Sequence, residues 1–189
     1  MVDIRPLTAH DCLTELTGLL HAAYASLAAQ GWNFTAVDQS VKVTRERVAN
    51  GQAWVAERQG RMVGTVTVSP PKPVQGRYLG DPVPACYTEP GHAILAQLAV
   101  HPDQRGQGLA GRLMDTAEAW AAAQGYTHVA LDTAEPALQL QQRYARRGYA
   151  RIGDVQWAGK TYRSVLMLKP LRDQLHFDQA ASPAETAST

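Results

Sequence analysis

One stretch in the second half of the chain, Val100-His-Pro-Asp-Gln-Arg-Gly-Gln-Gly-Leu-Ala-Gly-Arg-Leu, runs from an apolar strand through a glycine-rich loop straight into a helix. The first turn of a helix has unpaired backbone N–H groups and a partial positive charge, so this junction suits an anion, above all a phosphate. Gly106, Gly108 and Gly111 weaken the helix start, and what they give in return is backbone that can approach a phosphate closely. A magnesium-nucleotide loop finds its glycine spacing in Gly106 and Gly111. It fails because Arg112-Leu113 stand where a lysine and a hydroxyl belong. The dinucleotide pattern Gly-x-Gly-x-x-Gly is matched by Gly106, Gly108 and Gly111, with Asp132 about where a ribose-binding acid would sit. Yet His101 to Arg105 separate the strand from the first glycine, and too few βα units follow for a doubly wound fold.

The elements that must position this loop follow from hydrophobic periodicity. Val2 to Pro6 reads as a short strand. Leu13, Leu16, Leu20, Tyr24 and Leu27 mark an amphipathic helix over 9–29, closed by Gly31. A weaker helix is predicted over 36–50, then a hairpin with strands at 53–57 and 61–69, in which Met62, Gly64, Val66 and Val68 alternate. Six prolines between Pro70 and Pro90 make regular structure improbable there and point to a functional or disordered loop. Ala93 to Val100 is nearly continuously apolar, hence a central strand covered on both faces. A helix over 109–124, a strand over 128–132, a helix over 136–147 and two closing strands, 149–157 and 162–168, complete the chain. The order is that of a mixed α/β sheet, antiparallel first and crossed over by helices later.

Composition bounds the function. With 189 residues, 45% hydrophobic and 19% charged, the chain fits one globular domain, expected over 1–170, with a small-residue, flexible tail over 171–189. Lys plus Arg is 18 against 17 for Asp plus Glu, a balance that argues against a nucleic-acid coat protein. Cys12 and Cys86 cannot build a disulfide framework or a four-cysteine metal site, and no His/Cys/Asp/Glu cluster has ligand spacing. The sequence shows no secretory leader pattern and no apolar run long enough to span a bilayer. A soluble cytoplasmic protein with no metal, nucleic-acid or membrane partner is therefore expected.

Arg105-Gly-Gln-Gly-Leu-Ala110, following Leu98-Ala-Val-His-Pro, resembles the R/Q-x-x-G-x-G/A acyl-CoA loop of the GNAT superfamily of N-acyltransferases. Ile4-Arg-Pro-Leu at the start, Tyr144-Ala-Arg-Arg-Gly-Tyr149 and Val165-Leu-Met-Leu-Lys-Pro-Leu extend the resemblance over nearly the whole chain. It implies a mixed sheet of about seven strands with four helices and splayed central strands. The implied activity is acetyl transfer from acetyl-CoA to a primary amine of a small molecule or peptide. By the same resemblance, the backbone of Arg105, Gly106, Gln107, Gly108, Leu109 and Ala110 would hold the pyrophosphate. The main chain of Leu98, Ala99 and Val100 would pair with the pantetheine arm like an added strand, and a backbone N–H near Leu98 would meet the oxyanion.

Tyr144 shares a helix face with Ala137 and Leu140, which directs it inward, and its phenol would stay protonated at pH 7 to serve the departing thiolate. Many family members have Asn where Ala137 stands, so the resemblance implies that one polar contact to the coenzyme arm is missing or replaced. The base is open: Gln97 takes the place where several members keep a carboxylate and cannot act as one, which leaves His92 and Glu89 as the nearest titratable groups. The acceptor pocket would draw on Tyr24, the Gly31-Trp-Asn33-Phe34 turn and the Pro70 to Gly91 loop, with Trp32, Phe34, Tyr78 and Tyr87 as aromatic lining. A non-catalytic acyl-CoA-binding module, which would need no inward Tyr144, and a dinucleotide-dependent oxidoreductase are the competing readings. Similar proteins form dimers through their last strands, so a homodimer is a further expectation.

Overall fold

The computed structural model describes residues 1–74, 77–78 and 81–171. The Tyr78 side chain lies outside what is described, as does the expected tail beyond residue 171. The main sheet has seven strands: β1 Asp3–Pro6, β2 Gln52–Arg58, β3 Arg61–Ser69, β4 His92–Val100, β5 His128–Ala134, β6 Ala150–Val155 and β7 Ser164–Pro170. Their spatial order is β1-β2-β3-β4-β5-β7-β6, antiparallel throughout except where β4 meets β5. Among the described residues, four helices of two turns or more accompany them: α1 Leu13–Ala28, α2 Val41–Ala49, α3 Leu109–Ala123 and α4 Leu138–Arg146.

The apolar spacings seen in sequence settle which face each helix covers. Leu109, Leu113, Met114, Ala117 and Ala121 of α3 pack on Trp54, Ala56, Val66, Val68, Leu95, Val129, Leu131 and Val165 to form the larger core. Leu16, Leu19, Leu20 and Ala23 of α1 cover the opposite face at Val55, Met62 and Ala99. Burial of this much aliphatic surface is the main stabilising term, at about 25 cal/mol per Å². The expected alternation in β3 fails at one point. Ala56 and Glu57 oppose Gly64 and Met62, so Val63 is an extra residue, and the bulge puts Met62 on the α1 side while Val66 and Val68 face α3.

The predicted helix over 36–50 is shorter. A 3₁₀ turn at Thr35–Val37 precedes α2, which starts where Ser40 Oγ caps the Val43 N–H at 3.3 Å. The proline-rich segment is more ordered than its composition suggests: Arg77–Tyr78 and Asp81–Pro82 pair antiparallel, and Ala85–Thr88 forms one helical turn. Prolines sit at a strand end and before the turn, where no backbone donor is lost.

The feature that positions the site lies at the centre of the sheet. β4 and β5 pair only at His92↔His128, Ala93↔Val129 and Ile94↔Ala130, and beyond that point they part. On its other edge β4 spends three steps, Ala96 to Ala99, against two of β3, Thr67 to Thr65. Gln97 lies within this bulge at φ +53, a left-handed conformation that is uncommon for a residue with a side chain. Its buried amide offsets that strain: Oε1 accepts from Gln39 Nε2 at 3.0 Å and Nε2 donates to Thr67 Oγ1 at 3.1 Å.

Candidate active site

The glycine loop forms the link between β4 and α3. After the 3₁₀ turn Pro102–Gln104, Gly106 and Gly108 take φ +77 and +73, values open to glycine at little cost, and Gly108 caps α3 without any side-chain partner. Among the described residues, no acceptor in the chain meets the backbone N–H groups of residues 106 to 111. The Arg105 N–H is spent on Pro102 O at 3.2 Å, one residue inside the span expected from sequence. The Arg105 guanidinium donates to Ala23 O at 2.6 Å, tying the loop to the end of α1. The result is a row of unpaired donors at the positive end of a four-turn helix.

This loop forms one end of a cavity of about 1250 Å³ that follows the gap between β4 and β5. Leu98, Ala99, Val100, Arg105, Gly106, Gly108, Leu109 and Ala110 all line it, whereas Gln107 faces a separate small depression beside Met1. Gln97 and Leu98 have no register partner in β3 and lie past the last β4–β5 pair, and the Leu98 carbonyl accepts from the Tyr24 hydroxyl at 3.1 Å. Burial pushes the Tyr24 phenol above its ordinary value, partly opposed by the positive charge of Arg47. Thr133, on the cavity wall in β5, has a buried hydroxyl with no partner among the described residues.

Tyr144 enters the cavity from α4. Gly148, at φ +91, reverses the chain after the helix and lets the Tyr149 N–H return to Tyr144 O at 3.1 Å. The Tyr149 ring then lies edge-on to Tyr144, centroids 6.0 Å apart. Tyr149 is itself pinned, its hydroxyl donating at 3.0 Å to the buried Glu118 carboxylate, which also accepts from Arg147 at 3.1 Å and Lys169 at 2.6 Å. The Tyr144 hydroxyl, by contrast, makes no hydrogen bond within the chain among the described residues. Burial raises its pKa well above the usual phenol range, with Tyr24 and Asp132 adding to the effect.

The sequence marks Asp132 only as a candidate ribose ligand. Here it shares the face of β5 that carries Ala130 and stands two residues past the last β4–β5 pair. Its Oδ1 accepts from the Tyr87 hydroxyl at 2.8 Å and its Oδ2 from Trp157 Nε1 at 3.1 Å, which fixes the carboxylate while leaving lone pairs on both oxygens. The one sequence signal was a lone acid in an apolar strand.

Other expected residues fall away from the cavity. His92 sits where β4 and β5 are still paired, its ring 4.8 Å from that of His128 and its Nδ1 2.9 Å from Cys86 O. Glu89 is exposed in the turn before β4. Asn33 spends its side chain on the β6–β7 turn, with Nδ2 to Gly159 O at 2.7 Å and Oδ1 accepting from Thr161 N at 2.9 Å. Trp32, Phe34, Tyr24 and Tyr87 do line the cavity. So do Arg47, Lys72 and Lys160, which come from three separate segments and carry no local sequence signal.

A mixed sheet parted between its two parallel strands, with an anion-ready glycine turn at the mouth of the gap, is the architecture of an acyl-CoA N-acyltransferase. The pattern of the Acetyltransferase (GNAT) family matches residues 19–149, and the chain belongs to that family. It is similar to human "N-acetyltransferase 8B", 33% identical over 100 residues, covering 53% of this chain and 39% of that protein, so the match spans well under half of that relative's length. It is also similar to "S-(2-succino)cysteine N-acetyltransferase" of Bacillus subtilis (strain 168), 28% identical over 163 residues, covering 85% of this chain and 92% of that protein. Among solved structures, a GNAT family acetyltransferase from Elizabethkingia anophelis with acetyl-CoA bound shares the fold at TM-score 0.63 and 15% identity, over 90% of this chain and 98% of that one. No group of three or more potential metal-ligand side chains occurs among the described residues, and no helix there is long and apolar enough to cross a membrane.

Proposed function

We propose that this chain is an acetyl-CoA-dependent N-acetyltransferase that moves the acetyl group directly to a primary amine in the cavity between β4 and β5. The observation that carries this reading is the run of unpaired N–H groups at 106–111 beside the parted strands, a fit for a diphosphate with an amide-bearing arm. The diphosphate binds the loop, the pantetheine arm follows Leu98 to Val100, and the thioester carbonyl lies at the β4 bulge. Attack of the neutral amine on that carbonyl forms a C–N bond and an oxyanion, which a bulge N–H stabilises. Collapse breaks the C–S bond; the Tyr144 hydroxyl gives its proton to the departing thiolate, and the proton that the nitrogen sheds as the amide forms restores the phenol. Asp132 takes the proton that the ammonium must lose before attack. It replaces His92 in this role because it faces the cavity and His92 does not.

The test is calorimetry with acetyl-CoA, followed by free-thiol release on a panel of primary amines that includes small amines, peptide N-termini and S-(2-succino)cysteine. Binding with acceptor-dependent thiol release is the expected result. Binding without release on any amine would favour a non-catalytic acyl-CoA module. Thermal stabilisation by a nicotinamide dinucleotide but not by acetyl-CoA would overturn the reading altogether.

A further inference from the structure

Arg47 at the end of α2, Lys72 in the loop after β3 and Lys160 in the β6–β7 turn all line the cavity, and Arg47 lies close enough to act on both lysines. Their charges feel one another. Burial, and after it the charge of Arg47, lowers the proton affinity of both lysines. Neither Arg47 nor Lys160 lies within 4.0 Å of a carboxylate among the described residues. Both are nonetheless held in place. Arg47 Nη1 donates to Gln39 Oε1 at 2.6 Å, and Lys160 Nζ donates to Asn33 O at 2.7 Å and Thr35 Oγ1 at 3.1 Å. Among the described residues Arg47 therefore leaves most of its five donors unspent, and Lys160 one of its three.

Among the described residues the nearby acids form no ion pair with Arg47 or Lys160. Asp132 is bound by Tyr87 and Trp157, Glu46 is exposed and stands 4.0 Å from Lys42, and Asp38 acts on Lys160 only through space. Like charges gathered in a half-desolvated cavity are costly unless an anion joins them.

That anion is not the coenzyme's diphosphate. The loop N–H groups lie beyond Val100, at the C-terminal end of β4, whereas Lys72 reaches Ser69 Oγ at 3.3 Å and Ser69 is in register with Ile94. Ile94 to Val100 is six strand steps, about 20 Å at roughly 3.3 Å each. Around the cations stand Phe34 and Tyr162, ring centroids 4.9 Å apart, and Asp132, whose charge is felt by Lys160.

Resting on the acetyl-transfer reading of this cavity, we infer that the acceptor is an amino carboxylate: Arg47 and Lys160 hold its carboxylate, with the charge of Lys72 beside them, Asp132 meets its ammonium, and the aromatic wall takes an apolar side chain. An α-amino acid presents both charges on one small molecule, and a bidentate Arg–carboxylate pair would fix the amine's position along the gap.

The experiment measures kcat/KM by thiol release for amino acids with apolar side chains, each beside its α-carboxamide and its decarboxylated amine. The best acid should exceed its carboxamide by at least about 100-fold, as for a site built around a polar substrate group. Lys160→Met and Arg47→Met should collapse that ratio by about tenfold or more through KM for the acid, with the KM for acetyl-CoA moving less than about twofold. Arg47→Lys should restore part of the ratio. Acid and carboxamide used equally, or variants that raise both KM values alike, would overturn the inference. So would acetyl-CoA binding with no amino carboxylate acetylated. In each of these cases thiol release with some other primary amine leaves the acetyl-transfer reading standing. Absence of release with every amine, or of acetyl-CoA binding, ends both.

Discussion

Replacing Tyr144 by phenylalanine removes one oxygen and little else. The ring keeps its edge contact with Tyr149, and the hydroxyl gives up no hydrogen bond within the described chain. Folded stability should therefore shift by no more than about 0.5 kcal/mol, which is about 2 °C or less in Tm for a domain of this size. Chemistry should respond very differently. Without the phenol the thiolate leaves unprotonated, and a positioned acid contributes about 10²- to 10⁴-fold, or about 3–6 kcal/mol of barrier at roughly 1.4 kcal/mol per tenfold. Because burial raises the Tyr144 pKa, the phenol is still protonated at pH 9, so the wild-type kcat should show no alkaline fall from this group below pH 10. Tyr149→Phe is the control with the opposite signature. It deprives the buried Glu118 of a 3.0 Å donor while Arg147 and Lys169 remain. That should cost about 1–3 kcal/mol, or about 3–9 °C in Tm, with a smaller kcat loss than Tyr144→Phe. The assays are thiol release at saturating acetyl-CoA, calorimetric affinity for CoA, and a thermal melt. A Tyr144→Phe protein that melts several degrees lower yet keeps kcat within threefold would show that the hydroxyl is a structural group and refute the acid assignment.

Gly108→Ala meets no atom within 4 Å but must hold φ +73, so it should strain the loop by about 1–2 kcal/mol and raise the KM for acetyl-CoA while changing kcat little. Gly111→Ala makes only an ordinary contact, 3.8 Å to Arg147, and should leave the KM unaltered while stabilising α3 by up to about 1 kcal/mol in a urea titration. Asp132→Asn should lower kcat/KM for the acceptor by about 10²- to 10⁴-fold at pH 7. The lost activity should return about tenfold per pH unit as the free amine accumulates, and a pH–rate profile as flat as wild type would count against its role as base. At the entry to α1, Arg5 at 2.7 and 2.9 Å and the Thr8 N–H at 2.7 Å hold the Asp11 carboxyl well below the usual carboxylate range. That stabilisation is present above the unfolded pKa near 4 and is lost as pH falls through the lower folded value. Asp11→Asn should thus cost about 1.5–3 kcal/mol at pH 7, and urea titrations should show the deficit shrinking below pH 4.

What was legible in the sequence was what short-range periodicity and glycine chemistry encode. Leu109, Leu113, Ala117 and Ala121 repeat at helical spacing because one stripe of α3 lies on the sheet, and Gly106 and Gly108 are glycines because φ is positive at both. The bulges were hidden, since nothing in Arg61-Met-Val-Gly marks Val63 as the extra residue and nothing in Gln97 announces a left-handed backbone. Gln97 shows why. Its conformation is secured by Gln39 and Thr67, residues 58 and 30 positions away, so the local sequence holds only half of the cause. The same logic separates the two ends of the cavity. The coenzyme end is built from one continuous segment, β4, loop and α3, and a continuous segment can be recognised as a motif. The acceptor end is assembled from α2, the loop after β3, β5 and the β6–β7 turn, whose order along the chain carries no spacing rule. If the acceptor binds there as proposed, single substitutions at Arg47 or Lys160 should change its selection without touching the glycine loop. It follows that the acceptor of such a chain is read from the charges its topology brings together, not from the motif that names its chemistry.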